Sequence, residues 1–261
     1  MKACVTIKDD VVIKIADPKL MRIEVEKTVR AHQIGQTSGL FRVPKVLDYD
    51  DAAGRATFEL ILDTKKLRSA ITSEAASLPL MKMAAEALAI VHKDLTLPEN
   101  MKVVLPDEYH LPGNEVFIHG DFGLGNVCVS ADSRNLVIFD WQATQKLNVT
   151  ATYGTRYFDV MWFIYNLFHR PVGSERYRIA APAAPLARVF LAHYLETSNY
   201  SGDYDQIRSY MRRFTSAKLA ARGSWLHLKR RLMLIPSHIQ LYRFIRSFDR
   251  SNEKQMKVCT L

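Results

Sequence analysis

The run Phe117-Ile118-His119-Gly120-Asp121-Phe122-Gly123-Leu124-Gly125-Asn126 sets a carboxylate and a carboxamide five residues apart, in a glycine-containing loop after an apolar stretch. A second carboxylate, Asp140, stands in Val137-Ile138-Phe139-Asp140-Trp141, again directly after an apolar stretch. If both stretches are strands, all three polar side chains can converge at neighbouring strand ends. Mg2+ is a hard cation that takes oxygen ligands and keeps several waters, so one carboxylate and one amide carbonyl suffice beside phosphate oxygens. Asp140 and Asn126 supply that pair. Asp121 is then left to orient an attacking hydroxyl and accept its proton, which completes the needs of phosphoryl transfer from a nucleotide. Such chemistry rests on positioning and charge neutralisation, so it requires no Ser, Cys or His nucleophile. His119, beside Gly120 in a tight loop, reads as a structural hydrogen-bonding residue rather than a base.

The elements that must position these groups follow from the patterning. Ala3 to Ile7 and Val11 to Ile15 alternate like strands around a Lys8-Asp9-Asp10 turn. Asp17-Pro18 can open a helix, with apolar residues at Ile23, Val29 and Ile34 and an end near Gly35 or Gly39. Val43 to Asp48 and Ala56 to Leu62 read as two further strands around Asp51-Ala52-Ala53-Gly54. From Leu80, entered at Pro79, the spacing of Met83, Ala84, Ala87, Leu88 and Val91 predicts a buried helix. Short strands follow at Val116 to Ile118, Val127 to Val129 and Leu136 to Phe139, with a turn at Asp132-Ser133. Beyond Phe158 the chain reads as helical, punctuated at 171–173, 181–185 and 198–202. Trp162, Phe163, Tyr165 and Phe168 read as core aromatics and Cys128 as a small buried strand residue. The expected organisation is α+β: a small strand-rich lobe over 1–64, a linker over 65–79 and a mainly helical lobe over 80–261.

Composition excludes several classes. The chain has 261 residues, 48% of them hydrophobic, and a net charge of +9, which rules out a long disordered, collagen-like or mini-protein chain. No apolar run approaches the roughly 18 residues of a membrane span, and the first residues show no cleavable leader. Three scattered cysteines make neither a disulfide framework nor a zinc site, so a cytoplasmic setting is expected. Residues 208–257 hold 13 Lys/Arg against Asp249 and Glu253, a segment charge of +11, while the rest of the chain carries −2. Any anionic partner belongs to that segment, unless it is simply a solvated helical face.

The sequence resembles the aminoglycoside phosphotransferase and choline kinase family of the protein-kinase-like superfamily. His119 to Asn126 is similar to that family's His-Gly-Asp-x-x-x-x-Asn catalytic loop, and Ile138-Phe139-Asp140-Trp141 to its metal motif. Met83 to His92 is similar to the helix ending in Leu-x-x-Leu-His, and Tyr157-Phe158-Asp159-Val160 to the start of the next large helix. The resemblance implies a bilobal protein-kinase-like fold with a reduced β-rich N-terminal lobe and a mainly helical C-terminal lobe. It further implies ATP as donor, with GTP as a second candidate, and Mg2+ as cofactor. Lys14 would hold the α- and β-phosphates, with Glu26 as its ion-pair partner and Glu24 as the close competitor. Leu60 and Ile61 would offer backbone groups to adenine, and Asp159 would brace the catalytic loop. One departure is that only thirteen residues precede Lys14 and none is Gly. The phosphate cover is either a single hairpin or absent.

Within the family's range, the charge of 208–257 argues against polycationic acceptors and for a neutral or anionic small molecule or glycan. A lipopolysaccharide-core sugar kinase peripheral to the inner membrane is one alternative. A degenerate kinase fold serving as a binding or regulatory module is another, and nucleic acid ranks below both as a partner.

Overall fold

A computed structural model describes residues 4–131, 135–142, 150–169, 179–199, 204–220 and 228–247. The expected turn at Asp132-Ser133, the break at 171–173 and Trp225-Leu226 of the basic segment lie outside these residues. Strands β1 (Cys4–Lys8) and β2 (Val11–Ile15) form an antiparallel hairpin closed at Asp9-Asp10. With β4 (Val46–Asp50) and β5 (Arg55–Glu59) they make a sheet of order β1-β2-β5-β4.

Helix α1 (Pro18–Ser38) crosses this sheet. The Asp17 carboxylate accepts the N–H groups of Lys19 and Leu20, and Pro18 occupies the first turn, where a missing N–H costs nothing. The helix runs through Gly35 and ends at Gly39, whose φ of 69° suits a left-handed cap. Gly35 is needed for another reason: a Cβ there would lie 2.5 Å from the carbonyl oxygen of Phe41. Met21 of α1 packs with Ala56 and Phe58 of the sheet in a small separate core that Val12 borders.

Strand β3 (Phe41–Arg42) leaves that layer and pairs in parallel with β9 (Leu136–Ile138). With β8 (Val127–Ser130) and β6 (Thr64–Lys66) it forms a second sheet of order β3-β9-β8-β6, whose β8 and β9 follow the two motif loops or lead into them. Strands β7 (Glu115–Phe117) and β10 (Tyr153–Thr155) form a third pair. The segment 65–79, expected as a linker, carries the end of β6, helix α2 (Leu67–Ala70) and the start of α3 (Glu74–Asp94). Helices α4 (Tyr157–Phe168), α5 (Ala183–Thr197), α6 (Tyr204–Ala220) and α7 (Leu228–Arg246) complete the described chain. The fold is thus α+β, strand-rich before α2 and mainly helical after it.

Two prolines lie inside helices. Helix α3 begins at Glu74 under a Ser73 cap and contains Pro79 instead of starting there. Helix α7 likewise runs through Pro236. The carbonyls that lose their partners are those of Ala75 and Leu232, both on exposed residues that water can reach. By length and composition α3 could cross a membrane. It is the central core helix here, with Leu80, Met81, Leu88 and Val91 buried and α5 packed along it.

Candidate active site

Strand alternation places Lys14 on the same face as Val12, toward α1. Its ammonium reaches Glu24 Oε1 at 2.7 Å and Asp140 Oδ1 at 3.0 Å, so one buried lysine joins the first sheet, α1 and the motif after β9. Burial opposes its charge, but Glu24 and then Asp140 outweigh burial and hold its pKa above the ordinary lysine value. Burial pushes Glu24 upward against the pull of Lys14. Glu26, the expected partner, points elsewhere: its Oε1 accepts from Arg30 Nε at 2.6 Å, one turn along the same half-exposed helix face. Two residues on a helix differ by about 200° in direction, so Glu24 and Glu26 cannot both face Lys14. Leu60 and Ile61 lie half-buried beyond β5, but the N–H of Leu60 bonds the carbonyl of Asp10 at 3.2 Å and ties this segment to the tip of the β1–β2 hairpin. That donor is therefore committed and not open to adenine.

Three turns of α4 organise the loop 119–126, because Asp159, Trp162 and Asn166 share one helix face at spacings of three and four. Asp159 is fully buried and accepts from the backbone N–H groups of His119 (2.7 Å) and Gly120 (2.8 Å) and from His92 Nε2 (3.1 Å). Burial alone would raise its pKa, but the His92 hydrogen bond, the neighbouring histidines and the Gly120 N–H hold it below the usual carboxylate range. Burial keeps His92 itself low and neutral. Its Nδ1 then accepts from the Tyr194 hydroxyl at 2.7 Å while Nε2–H donates to Asp159. A chain of hydrogen bonds thus runs from α5 through α3 and α4 into the loop.

Trp162 Nε1–H donates to Asp121 Oδ1 at 2.8 Å, and Asn126 Nδ2 donates to Oδ2 at 2.7 Å. Both carboxylate oxygens of Asp121 are therefore oriented by donors on opposite sides. Asn166 and Trp162 press against Gly123, where a Cβ would come within 3.1 Å of Asn166 Nδ2 and 3.2 Å of Trp162 Nε1. This glycine gives the loop its close approach to α4. His119 is buried, and its ring is spoken for: Nδ1 accepts from the Asp121 N–H at 3.1 Å and Nε2–H donates to the Phe139 carbonyl at 3.2 Å. Burial and then Lys27 lower its pKa to about 4. It is a neutral spacer between the two motifs at physiological pH.

Asp140 holds a positive φ of 62°, a left-handed conformation that Asp adopts more readily than most residues with a side chain. Its Oδ1 faces Lys14 and its Oδ2 accepts from Gln142 Nε2 at 3.0 Å. The Asn126 N–H2 donates to both the backbone carbonyl and the carboxylate of Asp121, which leaves the amide oxygen available to a cation. An amide oxygen and a partly exposed carboxylate are the hard oxygen ligands that Mg2+ takes; among the described residues no group of three or more His, Cys, Asp or Glu side chains is placed to hold a metal ion by itself.

Two site residues escaped the sequence reading. Lys27 is completely buried on α1, one turn after Glu24, and its ammonium donates to the carbonyls of His119 (2.8 Å) and Gln142 (3.3 Å). Burial lowers its pKa to about 8. It ties α1 to both motif loops at once. Trp162 was read as core, and is core, yet it also orients the loop carboxylate. The usable signal was spacing: Lys27 is three residues from Glu24, and Trp162 three from Asp159.

Residues 65–209 match the phosphotransferase enzyme family. The chain belongs to that family. The matched stretch contains Asp121, Asn126, Asp140 and Asp159, whereas Lys14, Glu24 and Lys27 lie before it. No curated protein matches the chain. Among solved structures, a choline kinase from Streptococcus pneumoniae is 11% identical with a TM-score of 0.50, over 91% of this chain and 86% of its own. An ethanolamine kinase from Plasmodium vivax is 14% identical over 95% and 84%, with a TM-score of 0.49. An aminoglycoside phosphotransferase from Streptomyces rimosus, in complex with ADP and streptomycin, is 14% identical over 78% and 86%, with a TM-score of 0.45. The choline kinase likeness extends the family's kinase-like fold over nearly the whole chain, including the strand-rich part ahead of the matched stretch.

Proposed function

We propose that this phosphotransferase moves the γ-phosphoryl group of Mg-ATP to a hydroxyl of a small molecule or glycan, with Asp121 as the base. The observation that carries the reading is the Asp121 carboxylate, held by Trp162 on one oxygen and Asn126 on the other. The acceptor hydroxyl donates to Asp121, its oxygen attacks the γ-phosphorus, the bond to the ADP oxygen breaks, and the proton passes to the Asp121 carboxylate. Asn126 and Asp140 would hold Mg2+, which neutralises charge on the phosphate oxygens when bound. Lys14, steered by Glu24, is positioned for the remaining phosphate charge, and Asp159 keeps the His119 and Gly120 peptides in place. GTP is the second candidate donor. Support comes from family membership and from these contacts, and ADP in the Streptomyces rimosus complex agrees with a nucleotide donor.

A second reading, a binding or regulatory module, is favoured by the hairpin tip. Where phosphates need cover, Lys8-Asp9-Asp10 offers two carboxylates and no glycine. Thermal shift separates the two, since a ligand that binds only the folded state raises the melting point by mass action. Millimolar Mg-ATP is expected to raise Tm, and Asp121→Asn to keep that shift while losing turnover by about a hundredfold or more. No shift with Mg-ATP or Mg-GTP, or normal turnover in Asp121→Asn, overturns the kinase reading. Contact of residues 208–257 with an anionic membrane is a further part of the proposal, read by sedimentation with phosphatidylglycerol vesicles.

A further inference from the structure

A cation of the chain's own lies over the Trp162 ring. Lys218 of α6 is buried, with Nζ 3.6 Å from the Trp162 ring centroid and 5.0 Å from that of Tyr165. The two rings are nearly parallel, at 28° and 6.4 Å, so they form a pair of aromatic faces served by one ammonium. The same indole donates to Asp121, which puts Lys218 one ring's width from the carboxylate. A second cation stands beside the same loop: Arg68 of α2 bonds Asn166 Oδ1 at 3.4 Å, and its backbone N–H bonds the Leu124 carbonyl.

We propose that the acceptor is an anionic alcohol, bearing a phosphate or carboxylate near its reactive hydroxyl, and that Lys218 and Arg68 select it. This rests on the kinase reading of Asp121. Aromatic faces next to a base attract cationic groups, and here Lys218 already covers them. A cationic acceptor would have to displace that ammonium and meet the charges of Lys218 and Arg68 in a site of reduced dielectric, while an anionic group is drawn to both. The basic balance of residues 208–257, to which Lys218 belongs, acts in the same direction.

The test is isothermal titration of the full chain, without nucleotide, with glycerol 3-phosphate, glycerate and choline. At least tenfold tighter binding of one anionic alcohol than of choline is expected, and the stronger of the two anions distinguishes phosphate from carboxylate recognition. Lys218→Met should shrink the preference at least fivefold, Lys218→Arg should keep it, and Lys218→Ala should gain choline binding by opening the ring faces. Equal or tighter binding of choline by the wild type, no binding of either anion, or a preference unchanged in Lys218→Met overturns the proposal. Should Lys218→Met fold poorly, the wild-type ratio and Lys218→Arg still decide. Failure of the kinase reading shows differently, as absent Mg-ATP stabilisation with this ratio intact.

Discussion

Asp159→Asn removes a charge that three donors share. One amide oxygen can replace one carboxylate oxygen, so it can keep the Gly120 N–H, or the His119 N–H together with His92, but not all three. At least one buried N–H then faces the new N–H2. An unsatisfied buried donor costs about 1–3 kcal/mol and a hydrogen bond to a charged acceptor contributes about 1.5–3 kcal/mol. Part of this is offset because the neutral amide is cheaper to bury than a carboxylate. A net loss of about 3 kcal/mol is expected, which at roughly 2–4 °C per kcal/mol for a chain of this size lowers Tm by about 6–12 °C. The pH dependence carries a sign. Asp159 is depressed in the folded state, so its contribution is complete above the ordinary carboxylate value of 3.8 and disappears as pH falls through the lower folded value. Urea midpoints of wild type and variant, measured from about pH 7 down to pH 3, should therefore differ most at neutrality and converge in acid. Turnover should fall with the midpoint at neutral pH, since the His119 and Gly120 peptides carry Asp121. Equal midpoints at pH 7, or a gap that persists undiminished in acid, would refute the bracing role.

The paired glutamates give a second test. Glu24→Gln should lower Tm by roughly 6–10 °C, because removing one partner of a buried pair costs about 3 kcal/mol, whereas Glu26→Gln should move it by less than about 2 °C, the scale of an exposed i,i+4 pair. The reverse order in differential scanning fluorimetry would restore Glu26 as the lysine's partner. For Lys27 the folded pKa of about 8 lies below the ordinary 10.5, so between those values the unfolded chain holds a proton that the folded chain has released. Stability in EDTA should gain up to about 3 kcal/mol from this group as pH rises through that window, and Lys27→Met should lose the gain; parallel curves for the two proteins would exclude it. Trp162→Phe keeps the ring and deletes the donor to Asp121. A tenfold or greater fall in kcat, with a shifted acid limb in its pH profile and little change in KM for ATP, is expected, while an unchanged profile would return Trp162 to packing alone.

What was legible in the sequence and what was not divides along a physical line. The motif loops could be read because their chemistry is local: Asp121 and Asn126 are five residues apart, and each loop follows an apolar run that became β7 or β9. The hairpin, the Asp17 cap and the buried apolar face of α3 were local in the same sense. Helix α1 could not be phased, because its buried face is Met21, Glu24, Lys27, Thr28, Ala31 and Gly35, a run that hydrophobic patterning does not recognise as inward. Ile23 is buried but Val29 is among the exposed apolar residues, so the apolar positions misdirected the search for the lysine's partner. The polar face is stable only because its partners arrive from far along the chain: Asp140 reaches Lys14 across 126 residues, and the carbonyls of His119 and Gln142 lie 92 and 115 residues from Lys27. Pairing of that range is created by the β3–β9 register and leaves no trace in local composition.

The same line explains how the site is held. Two helices hold the motif loops from opposite sides. On one side α1 presents Glu24 to Lys14 and Lys27 to two loop carbonyls, and on the other α4 presents Asp159 to two loop N–H groups and Trp162 to Asp121. The loop backbone is therefore fixed by donors and acceptors that are present before any nucleotide arrives, which is the preorganisation that phosphoryl transfer draws on. A glycine-rich cover would mainly add backbone N–H groups to the phosphates, and so nucleotide affinity. On the kinase reading, the glycine-free Asp9-Asp10 tip should give weaker donor binding than a glycine-rich one while leaving the geometry around Asp121 intact. Nucleotide KM and kcat thus answer to different ends of the molecule, and substitutions at the hairpin tip should move the first without the second.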